Sequence, residues 1–374
     1  MKIMHMADFH LDSAFSGFDK DSSDAKRKEL RSCFADAMKK ARESKVELVL
    51  IAGDLFDTPF CSAATRKTVF DAIENVGCPV VIAPGNHDYY NKNGTYCDNQ
   101  LPKNAFVFNS NELGRFDFDE LGISVIGYAF TSDRYDNNPL ADEVPISSEN
   151  MNILCAHADL GAPLSKYAPI SANAIARHGF AYAALGHVHV SGAPTRAGNS
   201  IIAYSGFPQG RSFDELGDGG AYIIDLDREN GVTNVERITL SKMSYQIEKL
   251  DITTLSSDED IIRKISSLIE EKNYGSSNAL RVVLTGAIPS EYSVGINRIA
   301  ADDSFANLAL LQIKNECVAN FDLEYLESDM TIRGEIYRQL MPLLNSADEN
   351  ERQRASLALK FALAALDKRE FGVD

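Results

Sequence analysis

The sequence lacks any close cysteine pair. Its six cysteines are scattered along the chain, and no two of them form a CxxC motif. Zinc ribbons and thioredoxin-type redox centres need such pairs, so neither kind of site has support here. The pattern predicts reduced thiols, most of them in the core. They are Cys33, Cys61, Cys78, Cys97, Cys155 and Cys317.

Long apolar runs are also missing. No stretch approaches the roughly 20 apolar residues that a membrane-spanning helix requires. No signal peptide is visible, because a strand-like run with charged residues soon after it follows Met1 directly. We therefore expect a cytoplasmic protein that makes no membrane contact.

Positive charge is scarce. The chain has 37 Lys and Arg residues against 54 Asp and Glu residues, a net charge of −17. The overall field of such a protein does not attract nucleic acid. Binding to DNA would need a local basic patch, bound cations or a partner. An enzyme whose metal ions supply positive charge at its site remains compatible with this composition.

The first part of the chain alternates short apolar runs with helical patterns. Val46–Ala52 is a continuous apolar run, and residues from about Asp24 to Ser44 form an amphipathic pattern. Strands that are apolar throughout are buried on both faces, so helices must cover them. With 374 residues, the chain is long enough for two domains. We predict an α/β fold with a layered sheet core over residues 1–240.

The pattern changes after about residue 240. Tyr245–Ile252 and Ala279–Thr285 are predicted strands, Asp258–Lys272 is a predicted helix, and a last strand is expected near Cys317–Tyr325. Residues 241–330 are therefore predicted to form a small α+β domain. Residues 331–374 are predicted to be a helical tail, which Pro342 and the polar stretch after it divide into two helices.

Candidate metal ligands follow five of the predicted strands. They lie in Asp8–His10, Gly53–Asp54, Gly85–Asp88, Ala156–His157 and Gly186–His189. Three of these pieces are weak signals alone, Gly85–Asp88 is a stronger one, and Gly186–His189 is strong. On an extended segment, residues two apart point the same way, so Asp8 with His10 and His187 with His189 could each face one site. The two remaining histidines, His5 and His178, are predicted to be structural.

These residue types suit a site with two metal ions. Asp54 could bridge two cations, and mixed oxygen and imidazole ligands suit manganese, iron or zinc. Such a pair polarises a phosphate and makes hydroxide available near neutral pH. His87 is predicted to stabilise developing charge or protonate the leaving group. Asp88 would hold the imidazole tautomer, or would be an ordinary turn aspartate.

The five blocks DFH, GD, GNHD, AH and GHVH resemble the calcineurin-like metallophosphoesterase superfamily. The likeness spans about residues 1–240 and implies a β-sandwich core flanked by helices. It implies that one metal is held by Asp8, His10, Asp54 and His189. It implies that the other is held by Asp54, Asn86, His157 and His187. His87 would be the catalytic histidine.

Three further segments are similar to a narrower group, the nuclease subunits of SbcCD-type complexes and their YhaO branch. They are the start MKIMHMADFHLDS, the block AGDLFD and the segment YSGFPQGRSFDELGDGG. That likeness implies manganese-dependent cleavage of DNA in repair and a homodimer. It also implies an SMC-type (Rad-fifty-like) ATPase partner, a DNA-capping domain at residues 241–330 and a partner-docking segment at residues 331–374.

Several assignments stay open. Arg211 could bind a substrate phosphate, or pair with Glu215. The basic residues Lys26–Lys28 and Arg31 could contact DNA, although a solvated helix face is the commoner explanation. In the tail, the apolar stripe formed by Leu359, Ala362, Leu363 and Leu366 could dock on a partner or pack on its own domain. Likewise, Phe56, Phe60, Val69 and Phe70 could serve a dimer interface or the core.

Two kinds of enzyme fit the motif set equally well. The first is a DNA exonuclease, with endonuclease activity also possible for this chemistry. The alternative is a small-molecule phosphodiesterase or pyrophosphatase that uses the same two metals. A large substrate is favoured by the extra domain and tail, because a small diester needs no such platform.

Overall fold

The computed structural model describes residues 1–289, 292–320 and 323–366. The chain divides into two units. The first consists of Met1–Gln246 with Ser277–Ala279, and the second of Ile247–Ser276 with Leu280–Asp374. None of the helices among the described residues is long and apolar enough to cross a membrane. All six cysteines are free thiols.

Two six-stranded sheets form the core of the first unit. In spatial order, the first sheet contains β12 (Gly231–Thr239), β11 (Gly220–Asp227), β1 (Lys2–Met6), β2 (Leu48–Ile51), β3 (Val80–Ile82) and β4 (Ala105–Val107). The second contains β5 (Gly114–Phe118), β6 (Ile123–Gly127), β7 (Met151–His157), β8 (Tyr182–Gly186), β10 (Ser200–Tyr204) and β9 (Thr195–Ala197). In each sheet the four strands that carry the site or flank it run parallel.

Alternating side chains place apolar surface on both faces of each sheet. In β2, Leu48 and Leu50 point into the layer between the sheets, whereas Val49 and Ile51 point to the helices outside. The helices are α1 (Lys20–Glu43) and α2 (Ala63–Val76) on the first sheet, and α3 (Ala172–Arg177) on the second. This arrangement confirms the prediction of a layered β-sandwich flanked by helices.

Capping residues set where the two long helices begin. The side chain of Asp19 accepts a hydrogen bond from the Ser22 backbone N–H at the start of α1. Ser62 does the same for Thr65 at the start of α2, and Gly77 ends α2 in a left-handed conformation, φ 82°. These caps fix the loops that precede both helices, and the loop before α2 follows directly from the end of β2.

The second half of the chain combines short sheets with helices. A three-stranded sheet has the order β13 (Ser244–Asp251), β14 (Asn278–Thr285) and β16 (Leu310–Asn315), and β15 (Ala287–Pro289) pairs with β17 (Val318–Asn320). The helices are α4 (Asp258–Lys272), α5 (Ile296–Ala300), α6 (Leu323–Ser328), α7 (Ile332–Leu344) and α8 (Glu349–Leu366). Ile261 and Ile265 of α4 are fully buried with Leu280 and Val282 of β14.

Two sequence predictions in this half need correction. The strand expected over Cys317–Tyr325 is confined to Val318–Asn320; residues 321–322 lie outside the described residues, and α6 follows. Pro342 lies inside α7 and does not divide the tail, because the helix continues to Leu344 and the break comes at Asn345. In the apolar stripe of the tail, Leu359 and Leu363 are buried against α6 and α7, whereas Leu366 is 39% exposed.

The four residues considered for a dimer interface differ in their exposure to solvent. Phe56, Val69 and Phe70 are buried in the core, and Phe60 is 56% exposed. Core packing therefore accounts for the first three residues, whereas Phe60 presents its ring to solvent.

Candidate metal centre

Strands from both sheets end at one place. Asp8, Asp54 and Asn86 lie just beyond the ends of β1, β2 and β3 in the first sheet. His157 is the last residue of β7, and His187 follows β8 in the second sheet. Neighbouring parallel strands present their carboxyl ends at the same edge, so five separate pieces of sequence converge there.

The loops after β1, β2 and β8 do not begin as extended chain. Asp8, His10, Asp54 and His187 all have left-handed backbones, with φ values of 56°, 45°, 49° and 101°. The prediction that Asp8 and His10, and likewise His187 and His189, lie on extended segments is therefore wrong. The side chains still converge, because backbone hydrogen bonds join the loops after β1 and β2, from Asp8 N–H to Gly53 C=O (3.0 Å) and from His10 N–H to Asp54 C=O (2.9 Å).

One group of ligand atoms gathers around His10. The ligand atoms of Asp8, His10 and His189 lie within 4.8 Å of one another. His10 Nε2 is 3.2 Å from His189 Nε2 and 3.5 Å from Asp54 Oδ2. The rings of His10 and His189 therefore both direct Nε2 toward one point.

A second group gathers around His157, which is fully buried. Its Nε2 lies 3.0 Å from Asn86 Oδ1 and 3.4 Å from Asp54 Oδ2, and Asp8 completes a second cluster with the same 4.8 Å limit. The His187 ring centroid lies 5.1 Å from that of His157. Asp54 thus faces both groups, as a bridging carboxylate would.

Hydrogen bonds on the outer side of three histidines define which nitrogen faces inward. His10 Nδ1 lies 3.1 Å from Asp57 Oδ1, and His189 Nδ1 lies 2.8 Å from Glu215 Oε1. His157 Nδ1 lies 3.0 Å from the Ala52 carbonyl. An N–H at each Nδ1 leaves the Nε2 lone pairs pointing inward.

That donor set fits divalent cations. Unprotonated Nε2 atoms at 3.2 Å, with a carboxylate oxygen close by, place electron pairs against one another unless a cation lies between them. Without a metal ion, a proton on one of the imidazoles can relieve this repulsion. Burial opposes the charged His157 imidazole, but Asp54 and Asp8 outweigh it and raise the pKa to about 9. Burial also opposes the Asp54 carboxylate, yet His157 and His10 hold its pKa well below the usual range.

Two other pKa shifts reflect the same environment. Burial, with Asp54 adding to it, raises the pKa of Asp8 to about 6. Burial and the charge of His157 lower the pKa of His187 to about 4. A neutral His187 imidazole is the form that can donate an electron pair to a metal.

His87 lies at the mouth of the site. Its side chain is 46% exposed, its ring contacts His10 edge to face with centroids 4.6 Å apart, and its Nδ1 is 3.3 Å from the Asp57 carbonyl. His87 is therefore an imidazole that solvent and substrate can reach, and it lies beside the candidate metal ligands.

Asp88 does not hold that imidazole, so the predicted role needs correction. Its carboxylate is fully buried and accepts four backbone N–H groups and one phenol. The donors are Asp54, Leu55, Phe56, Gly85 and Tyr96. Asp88 ties the Asp54 loop to the Asn86 loop, so it acts as a buried turn aspartate.

Arg211 pairs with Glu215, which is one of the two alternatives that the sequence left open. Its Nε lies 3.0 Å from Glu215 Oε1, and its Nη1 lies 3.2 Å from Ser13 Oγ and 3.7 Å from Asp57 Oδ1. Burial opposes the charge of Glu215, but His189 and Arg211 lower its pKa to about 2. Arg211 is thereby held beside the ligand cluster with its guanidinium 21% exposed.

Sequence reasoning missed three carboxylates behind the histidines. They are Asp57, Glu215 as a partner of His189, and Asp159, whose Oδ1 lies 3.5 Å from His187 Nε2. The available signal was a carboxylate close in sequence to a motif residue, as in GDLFD and HAD. His5 and His178 are structural as expected: His5 is buried against Tyr182 and Leu185, and His178 ends α3.

Comparisons with known proteins agree with this geometry. The family model for the calcineurin-like phosphoesterases matches residues 1–191. The chain is 25% identical to "Uncharacterized metallophosphoesterase YhaO" of Bacillus subtilis over 301 residues, 77% of this chain and 72% of that protein. It is also 25% identical to a subunit of the SbcCD nuclease of Staphylococcus epidermidis over 303 residues, 73% of this chain and 77% of that protein.

More distant relatives were also found. "DNA double-strand break repair protein Mre11" of Saccharolobus solfataricus is 23% identical over 309 residues, 76% of this chain and 75% of that protein. A dimetal phosphatase structure from Danio rerio has 12% identity and a TM-score of 0.40, covering 64% of this chain and 99% of that one. The match to the family model spans more than half of the sequence, and the chain belongs to the calcineurin-like phosphoesterase family.

Proposed function

We propose that this chain is a metal-dependent DNA phosphodiesterase, an exonuclease with possible endonuclease activity, that acts in DNA repair. The observation that carries the proposal is the convergence of two imidazole and carboxylate groups on Asp54. In this proposal one metal is held by Asp8, His10, Asp54 and His189. The other is held by Asp54, Asn86, His157 and His187. Manganese is our first choice, with iron and zinc as alternatives.

The protein's own residues would prepare the reaction. Bound divalent cations would supply Lewis-acid activation of the phosphodiester and of the attacking water. Asp57, Glu215 and the Ala52 carbonyl hold three imidazoles with Nε2 inward. A substrate phosphate could then enter a site whose ligands need not reorganise.

His87 would handle a proton or charge at the leaving oxygen. Its Nδ1 faces the Asp57 carbonyl, so Nε2 is the nitrogen available to a substrate atom. A His87→Ala variant should still bind two metals and lose most turnover, by about 10²–10⁴-fold. Metal content per chain and kcat on a small diester check this, and full turnover in the variant would rule out the role.

The choice of DNA as substrate rests on the relatives. Proteins named as a nuclease subunit and as double-strand break repair proteins align over about three quarters of the chain. The same likeness supports a homodimer and an SMC-type ATPase partner. It also supports a capping role for residues 241–330. For the location we propose the cytoplasm, where free thiols such as the six of this chain stay reduced. A chain of net charge −17 would gain from the metals or from such a partner the positive charge that DNA binding needs.

The deciding assay compares linear DNA with bis(p-nitrophenyl) phosphate, each with manganese and with a chelator. We expect metal-dependent cleavage of both substrates. Hydrolysis of the small diester alone, even with the ATPase partner added, would reject the DNA proposal and favour a small-molecule phosphodiesterase. Activity that persists in chelator would reject the two-metal proposal itself.

A further inference from the structure

A pocket of about 470 Å³ lies beside the metal-binding loops in the first unit. Its walls include Asp12, two residues after His10, and Thr58, which directly follows Asp57. Arg27 and Arg31 of α1 also line the pocket, as does Phe60. The volume falls within the usual range for ligand sites, and the walls continue from the same loops that carry the proposed catalytic groups.

The two arginines are more than a solvated helix face. Their side chains are only 25% and 20% exposed. Arg27 Nη1 donates to the Ala14 carbonyl at 3.1 Å, and Arg31 Nη1 lies 3.4 Å from Thr65 Oγ1. Both guanidinium groups are thus held in place before any ligand arrives, which lowers the entropy cost of binding an anion.

The neighbouring carboxylates leave room for a phosphate. Asp12 lies 3.5 Å from Arg31 Nη1 and also accepts hydrogen bonds from the backbone and hydroxyl of Ser62 and from the Thr65 hydroxyl, so its oxygens are shared among several donors. Asp24 pairs with Arg27 at 2.7 Å, and its side chain is 57% exposed. Because Asp24 is the exposed partner of this pair, solvent weakens its hold on Arg27, so a phosphate can replace Asp24 on Arg27 when the Asp24 side chain rotates toward solvent.

Phe60 adds an aromatic surface to the same pocket. It is 56% exposed, and a tight turn holds its backbone, with Thr58 Oγ1 donating to the Phe60 carbonyl at 2.7 Å. A phosphate-binding pair of arginines beside an exposed aromatic ring is the combination that binds an unpaired nucleotide, by charge on the backbone and by stacking on the base.

We infer that this pocket, lined by Arg27, Arg31 and Phe60, binds an unpaired nucleotide of the DNA strand next to the cleaved bond. The inference rests on the proposed function and narrows it. The substrate would be a strand with at least one unpaired nucleotide beyond the scissile phosphate, and bis(p-nitrophenyl) phosphate would leave the pocket empty.

The test uses Arg27→Gln and Phe60→Ala in the full chain, with Lys28→Gln as the matched control. Lys28 lies on the same helix, is exposed and is not part of the pocket. With manganese, the ratio of kcat/KM for a single-stranded oligonucleotide to that for the small diester should fall about tenfold in each pocket variant. The control should keep the wild-type ratio.

A second readout separates the inference from the proposed function. Fluorescence anisotropy of a labelled oligonucleotide, with manganese and in a His87→Ala background, measures binding with little cleavage, and Kd should rise about tenfold when either pocket substitution is added. Unchanged ratios and unchanged Kd values in correctly folded variants would overturn the inference while wild-type DNA cleavage stands. If wild type cleaves no DNA, the proposed function fails, and the anisotropy values alone decide whether the pocket binds a strand. Phe60→Ala changes an exposed side chain, so its fold is preserved.

Discussion

Replacing Asp88 by asparagine should lower the free energy of unfolding by roughly 2–6 kcal/mol. One carboxylate oxygen of Asp88 accepts from Gly85 N–H at 2.7 Å and from Asp54 N–H at 3.2 Å. The other accepts from Leu55 N–H at 2.8 Å and from Phe56 N–H at 3.2 Å. Whichever way the asparagine turns, its NH₂ faces two buried N–H donors. Each unsatisfied donor costs about 1–3 kcal/mol.

The loss is a large part of a typical stability of about 5–15 kcal/mol. It would also loosen the Asp54 and Asn86 loops, so metal affinity and kcat should fall together with stability. Urea denaturation of the metal-free protein measures the first effect, and metal titration measures the second. Asp71→Asn is the control, because Asp71 is an exposed carboxylate on α2 and should change stability by less than about 1 kcal/mol.

The two roles considered for Asp88 predict different results. If Asp88 acted only through the His87 tautomer, the variant would keep its urea midpoint and alter only the pH dependence of kcat. If Asp88 joins the two loops, the midpoint must drop. An unchanged midpoint in Asp88→Asn would therefore refute the reasoning from the buried hydrogen bonds.

Three further changes have definite expected outcomes. Burial lowers the pKa of His5 to about 3. Below pH 6.5 the unfolded chain therefore binds a proton at His5 that the folded chain does not bind. The free energy of unfolding keeps its full value above pH 6.5 and falls toward pH 3 by up to about 1.4 kcal/mol per pH unit. Urea midpoints of His5→Gln should fall less steeply over that range than those of wild type, and parallel curves would contradict this. Gly85→Ala should abolish metal binding by calorimetry, because a Cβ there collides with Asp54; normal binding would contradict it. Glu215→Gln should weaken metal binding about 10–100-fold through His189, and an unchanged affinity would count against that contact.

The sequence predicts the strands that are apolar throughout, but not those at the edges. β2 and β8 are wholly buried, and their apolar runs are plain in the sequence. β5 and β12 alternate with exposed polar residues, so they give no continuous apolar signal. They lie at sheet edges, where one side and part of a face meet water. The buried central strands can therefore be predicted from their apolar runs, whereas the edge strands depend on pairing with strands far along the chain.

The site divides in a similar way. Residue types and strand ends identify a candidate ligand set, because a ligand must be both a donor and close to a sheet edge. Backbone geometry is different, since nothing local in Asp8–His10 indicates the left-handed φ of both residues. Their conformation depends on hydrogen bonds to the Gly53 and Asp54 carbonyls. The partners of the histidine Nδ1 atoms likewise come from segments up to about a hundred residues away.

The carboxylates around the site bear on the acidity of the whole chain. Five carboxylates lie close to the histidines of the site, namely Asp8, Asp54, Asp57, Asp159 and Glu215. Arg211 is a cationic side chain that pairs with two of them, Asp57 and Glu215. The site alone therefore carries excess negative charge. Burial opposes the charged His157 imidazole, but two of these carboxylates, Asp54 and Asp8, raise its pKa to about 9. Two divalent cations bound at this candidate site would replace such protons. The bound cations, and not the net charge of −17, would then set the sign of the electrostatic potential where a phosphodiester binds. An acidic protein can thus hydrolyse an anionic substrate, provided that cation binding precedes substrate binding.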